Sequence, residues 1–272
     1  MMSSNPYQPT LARLCEVIEE TPTIKTFVVE PPEPFSFKAG QFAQLTVPGV
    51  GEAPFTPSSD PDEPDRLEFT VIRTGRVTDV LHTLKPGDAV GLRGPFGTGY
   101  PIDEMQDRHV LIVGGGCGLA PLRSLIYALF HQMDRIRSMS IRYGARESRE
   151  LLYHRLYEPW ADKPKVEVAC TIDRPEPGWS GHVGVVTTLL ENLNGQAAET
   201  IAISCGPEIM LKFVTATLLE RGLPADRIIL SMNRRMNCGI GKCGRCNIGP
   251  YYLCREGPDI HYDKIKDLPN VF

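Results

Sequence analysis

Four cysteines near the C-terminal end constrain this chain more than any other feature: Cys238, Cys243, Cys246 and Cys254, spaced C-x4-C-x2-C-x7-C, are half of its eight. Thiols crowded this closely need a ligand. The first three follow the plant-type spacing of a [2Fe-2S] cluster, in which a tight loop wraps two irons and a later cysteine closes the site. Gly239, Gly241 and Gly244 suit that use, because wrapping requires positive-φ positions and backbone N–H groups aimed at sulfur. Arg234, Arg235, Lys242 and Arg245 offset the negative charge of four thiolates. Two other readings stay open. Zinc fits the donors, but structural zinc sites usually pair two C-x2-C knuckles or mix in histidine, and only one C-x2-C occurs. Two disulfides fit the count, but they belong to secreted chains.

The 272 residues allow two domains of ordinary size and a small appendage. With 29 basic against 33 acidic residues the net charge is −4, which lacks the electrostatic footprint of a nucleic-acid binder. No apolar run approaches the ~18 residues of a membrane span, so no membrane partner is expected. The first residues lack the basic and apolar regions of a signal peptide, and the expectation is a reducing, cytoplasmic setting. Cys15, Cys117, Cys170 and Cys205 are scattered and read as ordinary buried residues.

From 11 to 93 the chain alternates short apolar runs with Pro, Gly and Glu breakers, the pattern of a small antiparallel β-barrel. The last strand is expected over 89–93. Within this part, residues 54–59 set Phe55 among prolines and hydroxyls, and Gly75, Arg76, Val77 and Thr78 lead into a short helix expected over 79–84. Thr78 can cap that helix, whose opening favours an anion such as pyrophosphate; the residues alone favour a plain turn and cap. Residues 94–101 read as a Gly/Pro-rich junction. After it, 109–113 is a continuous apolar strand running into Gly114, Gly115, Gly116, Cys117, Gly118, Leu119, Ala120 and Pro121 ahead of an amphipathic helix. That is the arrangement of a dinucleotide cradle. Strands over 140–143, 166–171, 200–204 and 227–230 then alternate with helices over 148–157, 185–192 and 208–221, giving a doubly wound parallel sheet. Ligands of such sheets sit at the carboxyl ends of the strands, here at 116–118, 144–146 and 205–207. Arg146 and Arg149 lie where an NAD ribose would meet an acid, which favours NADP(H) over NAD(H), although Arg146 can equally stack or form a surface pair. The domains expected are therefore a flavin-type barrel over 1–101, a nucleotide-binding α/β domain over 102–230 and a cluster segment over 231–272.

Barrel, dinucleotide sheet and [2Fe-2S] loop, in that order, resemble the ferredoxin-NADP reductase superfamily across almost the whole chain. The matching stretches are 75–78, 93–97, 114–122, 143–146, 205–207 and 238–254. The branch resembled is the γ subunit of cytoplasmic NiFe hydrogenases, or sulfhydrogenases. Near relatives are the equivalent subunit of anaerobic sulfite reductase and the electron-transfer subunit of dihydroorotate dehydrogenase. The resemblance implies that Pro54, Phe55 and Thr56 lie against a flavin ring, with Thr56 facing its N5, and that Arg73, Gly75, Arg76, Val77 and Thr78 meet its phosphates. It implies that Gly115, Gly116, Gly118, Ala120, Pro121, Arg146, Gly206 and Pro207 hold the nicotinamide dinucleotide, with Cys205 beside the carbon that gives up hydride. Ala53 departs from the superfamily, which commonly has Arg there, and this leaves FMN beside FAD as the flavin. Without the resemblance, Cys205 and Phe55 read as packing.

The implied chemistry needs no general acid or base, only placement, with Thr56 and Cys205 nearest the reacting atoms. Electrons pass between NAD(P)(H), flavin and cluster, and leave to partner subunits: NiFe hydrogenase large and small subunits and an iron-sulfur subunit. Rival readings are the equivalent subunit of a sulfite reductase or dihydroorotate dehydrogenase complex, and a zinc-stabilised docking module that is no enzyme.

Overall fold

Alternation of apolar and polar residues builds an antiparallel sheet first. In β1 (Thr10–Glu19) Ala12 and Leu14 turn inward, and in β2 (Ile24–Glu30) Phe27, Val28 and Val29 are all buried. β3 (Phe42–Val47), β4 (Gly51–Phe55), β5 (Leu67–Ile72) and β6 (Ala89–Phe96) complete six strands in the order β4-β3-β6-β1-β2-β5. The chain after β4 then reaches β5, where the Ser58 N–H donates to the Glu68 carbonyl at 2.7 Å, and the sheet curls around its core. Phe27, Leu45, Leu67 and Phe69 are fully enclosed there, each stabilising the fold by about 1.5–3 kcal/mol. The coordinates are a computed structural model that describes residues 5–190, 197–269 and 271–272.

A second sheet is parallel over the six strands between residues 109 and 231. β7 (His109–Gly115), β8 (Ser138–Ala145), β9 (Val166–Ile172), β10 (His182–Val183), β11 (Thr200–Cys205) and β12 (Ile228–Ser231) are joined by β15 (Asp259–His261) in the order β10-β9-β8-β7-β11-β12-β15. The order reverses between β7 and β11, the switch point at which such sheets take ligands. Both sheets agree with the expected fold class. The helices are α1 (Arg76–Leu81), α2 (Leu119–Phe130), α3 (Tyr157–Ala161), α4 (Glu208–Glu220) and α5 (Leu253–Glu256), and a hairpin of β13 (Asn247–Ile248) and β14 (Tyr251–Tyr252) precedes α5. No helix among the described residues is long and apolar enough to cross a membrane.

Several local expectations are corrected. α1 starts earlier than 79–84 because Thr78 lies inside it: its hydroxyl accepts the N–H groups of Thr74 and Gly75, both at 2.9 Å, and makes Gly75 the cap. The span 148–157 is two short 3-10 turns before α3, since Tyr153 takes a left-handed φ of 58° that breaks the helix. The span 185–192 forms a 3-10 helix, Val186–Leu190, in a β-branched run that disfavours α-helix; residues 191 and 192 lie outside the described residues. β6 continues to Phe96 because Phe42 pairs with it. β4 was not expected, and its Pro54 is tolerated because β4 is an edge strand. Cys15, Cys117, Cys170 and Cys205 are half-buried rather than buried, Cys15 at a bulge in β1 and Cys205 at a strand end.

The chain divides into two compact units. One holds the residues up to Tyr100 with Arg123–Ala128 and Met232–Asp259; the other holds Pro101–Leu122, Leu129–Ser231 and Ile260–Phe272. The cysteine loop thus belongs with the antiparallel sheet.

Candidate cofactor sites

Three glycines with φ of 77°, 73° and 69°, Gly239, Gly241 and Gly244, coil the chain around the cysteines and turn its N–H groups toward sulfur. Cys238 Sγ accepts from Ile240 at 3.5 Å, Lys242 at 3.3 Å and Cys243 at 3.5 Å, and Cys254 Sγ accepts from Gly241 at 3.0 Å. The β13–β14 hairpin folds back so that the Leu253 N–H reaches the Cys246 carbonyl at 3.2 Å, bringing Cys254 beside Cys246. Burial opposes ionisation of Cys238, but the three N–H donors outweigh it and bring the thiol down to about 6. At Cys254, burial and the neighbouring Cys246 push the thiol up to about 12.

Cys238 lies near Cys243, and Cys254 near both Cys246 and Cys238, so the loop gathers the four thiols in one place. Among the described residues no three of them lie mutually within 4.8 Å. One tetrahedral zinc ion at ~2.3 Å from each sulfur needs all four closer than that. Four thiols in a glycine-coiled loop that aims its N–H groups at sulfur are a donor set that fits a [2Fe-2S] cluster. Cys243 is exposed while the other three are buried. Lys242 and Arg245, its neighbours in the loop, are exposed, as is Arg235 ahead of it in the chain.

The stretch at the end of β4 carries Pro54, Phe55 and Thr56, all half-buried. Ser58 fixes the chain just beyond, its hydroxyl lying 3.1 Å from the Glu68 carbonyl and 3.0 Å from Thr70 Oγ1. α1 packs on this strand through Val77, whose Cγ2 would meet a Cβ on Gly51 at 3.4 Å. Gly75 and Arg76 are exposed, and a Cβ on Gly75 would meet nothing within 4 Å, so a ligand has room to approach the backbone. Arg73 is paired with Asp79 at 2.9 Å. Thr78 is buried and spends its hydroxyl on the loop ahead of α1.

In the parallel sheet, Cys205 pairs with Gly114 across β11 and β7. A Cβ on Gly118 would stand 2.2 Å from the Cys205 carbonyl oxygen and 2.7 Å from Gly206 Cα, so only glycine lets the loop after β7 close onto residues 205 and 206. Gly115 is fitted against Met210 of α4 in the same way. Gly116 has φ 52°, and its carbonyl accepts the Tyr143 hydroxyl at 3.0 Å; that hydroxyl also accepts the Leu152 N–H at 3.2 Å. Burial raises the Tyr143 pKa, keeping the donor protonated. The strand ends 114–118, 143–146 and 205–207 therefore converge. Ala120 and Pro121 form the first turn of α2, and Pro207 caps α4. Arg146 is exposed just past β8, while Arg149 is tied to Glu147 at 2.7 Å.

Comparison with known proteins accounts for all three parts. Residues 11–100 match the oxidoreductase FAD-binding domain, 112–216 the oxidoreductase NAD-binding domain and 233–266 the iron-sulfur cluster binding domain of dihydroorotate dehydrogenase B. The protein named sulfhydrogenase 1 subunit gamma, from Pyrococcus furiosus, is 35% identical over 100% of this chain and 97% of its own length. The chain belongs to this family of flavin and iron-sulfur electron-transfer subunits. A probable dihydroorotate dehydrogenase B (NAD(+)) electron transfer subunit of Methanocaldococcus jannaschii is 38% identical over 95% of the chain and 92% of its own. Among solved structures, the NADH-dependent reduced ferredoxin-NADP oxidoreductase superposes with a TM-score of 0.77 at 25% identity, covering 98% of this chain and 93% of that one. Like the family, the chain is an oxidoreductase with FAD-binding, NAD-binding and [2Fe-2S]-binding parts.

Sequence reasoning marked 93–97 as a matching stretch but gave no role to the residues that hold these family sites in shape. Gln44 donates to the Met236 carbonyl, Arg93 donates to the Asn237 and Cys238 carbonyls at 3.0 Å each, and the Phe96 ring covers Gly239. Gly97 leaves room for the Gly257 carbonyl, which also accepts the Thr98 N–H at 2.9 Å. The stretch 94–101 is thus a cradle for the cysteine loop as well as a junction. Positive-φ glycine beside an aromatic was the available signal, but a turn gives the same signal.

Proposed function

We propose that this chain exchanges hydride between NAD(P)(H) and a bound FAD and passes electrons singly, through a [2Fe-2S] cluster, to or from the partner subunits of a NiFe hydrogenase of the sulfhydrogenase type, in the cytoplasm. The observation that carries it is the full-length match to a sulfhydrogenase γ subunit, joined to a four-cysteine loop whose N–H groups face sulfur. Flavin, when bound, supplies the conversion between paired and single electrons.

The residues work by placement. Cys238, Cys243, Cys246 and Cys254 are the proposed iron ligands, and the N–H groups of residues 240–243 offset their charge. Pro54, Phe55 and Thr56 are proposed to line the flavin ring. Arg76 and the backbone at Gly75, Val77 and Thr78 are proposed to meet the phosphates, with Arg73 shared with Asp79. Gly115, Gly116, Gly118, Ala120, Pro121, Gly206 and Pro207 would receive the dinucleotide and Cys205 its nicotinamide, with Arg146 at the ribose end. Such placement is worth much of the barrier when reacting atoms come to ~3–3.5 Å. Exposed Cys243, rimmed by Lys242 and Arg245, is the proposed exit toward the partner.

The test is anaerobic purification from the native cell. A yellow-brown protein whose flavin bleaches with NADPH or NADH, with a reduced-cluster EPR signal and a nickel-bearing subunit among its companions by mass spectrometry, is the expected result; a colourless zinc protein would overturn the reading. A second reading, the electron-transfer subunit of a dihydroorotate dehydrogenase, is favoured by the 38% identity and by the matched cluster domain. A dihydroorotate-oxidising companion would select it.

A further inference from the structure

Arg93 is a buried cation whose every donor is used. Its Nε and Nη2 donate to the two Glu52 oxygens at 2.9 and 2.5 Å, Nη1 donates to the Pro6 and Cys238 carbonyls at 3.0 Å each, and Nη2 also reaches the Asn237 carbonyl at 3.0 Å. Those are the five N–H groups a guanidinium has. The rings of Phe96 and Tyr7 lie against it at 5.3 and 5.9 Å, and the residue is 5% exposed. Burying a guanidinium is costly, and an apolar residue of similar volume often gives equal stability. What an apolar residue cannot do is grip two successive carbonyls of the cysteine loop while holding the carboxylate of β4. Gln44, paired with Arg93 across β3 and β6, takes the preceding carbonyl, Met236.

The bonds converge on one peptide. Fixing the Cys238 carbonyl fixes the plane of the peptide that follows it, and Phe96 seals Gly239 behind it. From the loop so anchored, the N–H groups of Ile240, Lys242 and Cys243 face Cys238 Sγ. N–H donors to the sulfurs are among the levers that set an iron-sulfur potential. Glu52 anchors the guanidinium from β4, the strand that continues to Pro54 and Phe55.

We propose that Arg93, braced by Glu52, is a positioning residue for the iron-sulfur cluster: it sets how the loop presents its N–H groups to Cys238, and thereby the cluster's retention and reduction potential. This rests on the cluster reading above. A wild-type protein without a [2Fe-2S] signal would sink that reading and is scored before any variant is made.

The experiment uses the full chain loaded with FAD and cluster, comparing Arg93→Gln, Arg93→Lys and Glu52→Gln. The readouts are the cluster midpoint potential and g-values by EPR-monitored titration, the FAD midpoint in the same samples, and the rate at which a ferrous chelator strips iron. Loss of a residue supporting metal ligands costs about 10–100-fold in metal affinity, so Arg93→Gln is expected to lose iron at least about tenfold faster. Its cluster potential and g-values should move while the FAD potential stays, with Arg93→Lys intermediate because an ammonium has three donors instead of a fork. Glu52→Gln should shift the cluster in the same direction by less. If Arg93→Gln does not fold, Glu52→Gln and Arg93→Lys decide alone. Wild-type potential, g-values and iron release in the folded variants would overturn the proposal, and so would equal shifts of both cofactors, which mark general loosening.

Discussion

Replacing Gly118 by Ala isolates the nucleotide loop. The added Cβ would stand 2.2 Å from the Cys205 oxygen, 2.5 Å from its carbonyl carbon and 2.7 Å from Gly206 Cα. Ordinary contact between carbon atoms is ~3.5–4.0 Å, so one wall must retreat by about 1 Å. Both walls are backbone, and no side-chain rotation relieves them. Overpacking of this kind costs about 1–3 kcal/mol. The sharper effect is on placement, because moving a positioning group by about 1 Å can cost ~10²-fold in rate. The assay is anaerobic stopped-flow reduction of the bound FAD by NADPH and NADH, beside reduction by dithionite, with urea unfolding for stability. Gly118→Ala should slow both nicotinamides by about that factor and leave dithionite reduction unchanged. Two controls sharpen it. Gly116→Ala meets nothing within 4 Å and carries only the left-handed strain of its φ of 52°, about 1–2 kcal/mol. Gly115→Ala presses on Met210 Sδ, a side-chain end able to swing away. Gly118→Ala reducing its flavin at the wild-type rate with both nicotinamides would refute the reasoning.

Tyr143→Phe leaves the Gly116 carbonyl and the Leu152 N–H without their shared hydroxyl; a loss of ~1–3 kcal/mol in urea unfolding and a raised KM for nicotinamide are expected. Gly241→Ala places a Cβ 2.3 Å from Arg255 Cδ and disturbs the N–H bound to Cys254, so less iron per chain by colorimetric assay is expected, with FAD content unchanged. Cys254→Ser should abolish the cluster EPR signal yet leave flavin bleaching by nicotinamide intact. His82 is held neutral, chiefly by burial, so its pKa lies below the ordinary 6.5 and the unfolded chain takes the proton first. Thermal stability should therefore fall as pH drops below about 6.5, and His82→Gln should remove part of that slope, with no effect on it above neutral pH.

Much of this was legible because the strongest patterns are local. The cysteine spacing, the run 109–113 and the glycines after it announce themselves within a few residues, and they name the fold class. What was hidden depends on partners far along the chain. Arg93 reads as the end of a strand and the start of a matching stretch, and its role stays hidden until residues 237 and 238 return to it. Gly118 reads as a ligand-facing glycine, but its missing Cβ is demanded by Cys205 and Gly206. Thr78 reads as a cap because hydroxyls usually stand before a helix; here it reaches backward from inside. The helices expected over 148–157 and 185–192 gave way to a left-handed residue and a β-branched run, both weak signals against strong periodicity.

The contacts at Arg93 also carry a consequence for synthesis. A ribosome delivers Glu52 and Arg93 early, and the carbonyls that finish enclosing the guanidinium only after more than half the polypeptide has followed. Until then the nascent barrel keeps an unfinished polar seam open to water. A message truncated before codon 237 would yield a barrel with that seam permanently ajar, a natural handle for quality-control proteases, and iron insertion must wait until the cysteine loop has been made.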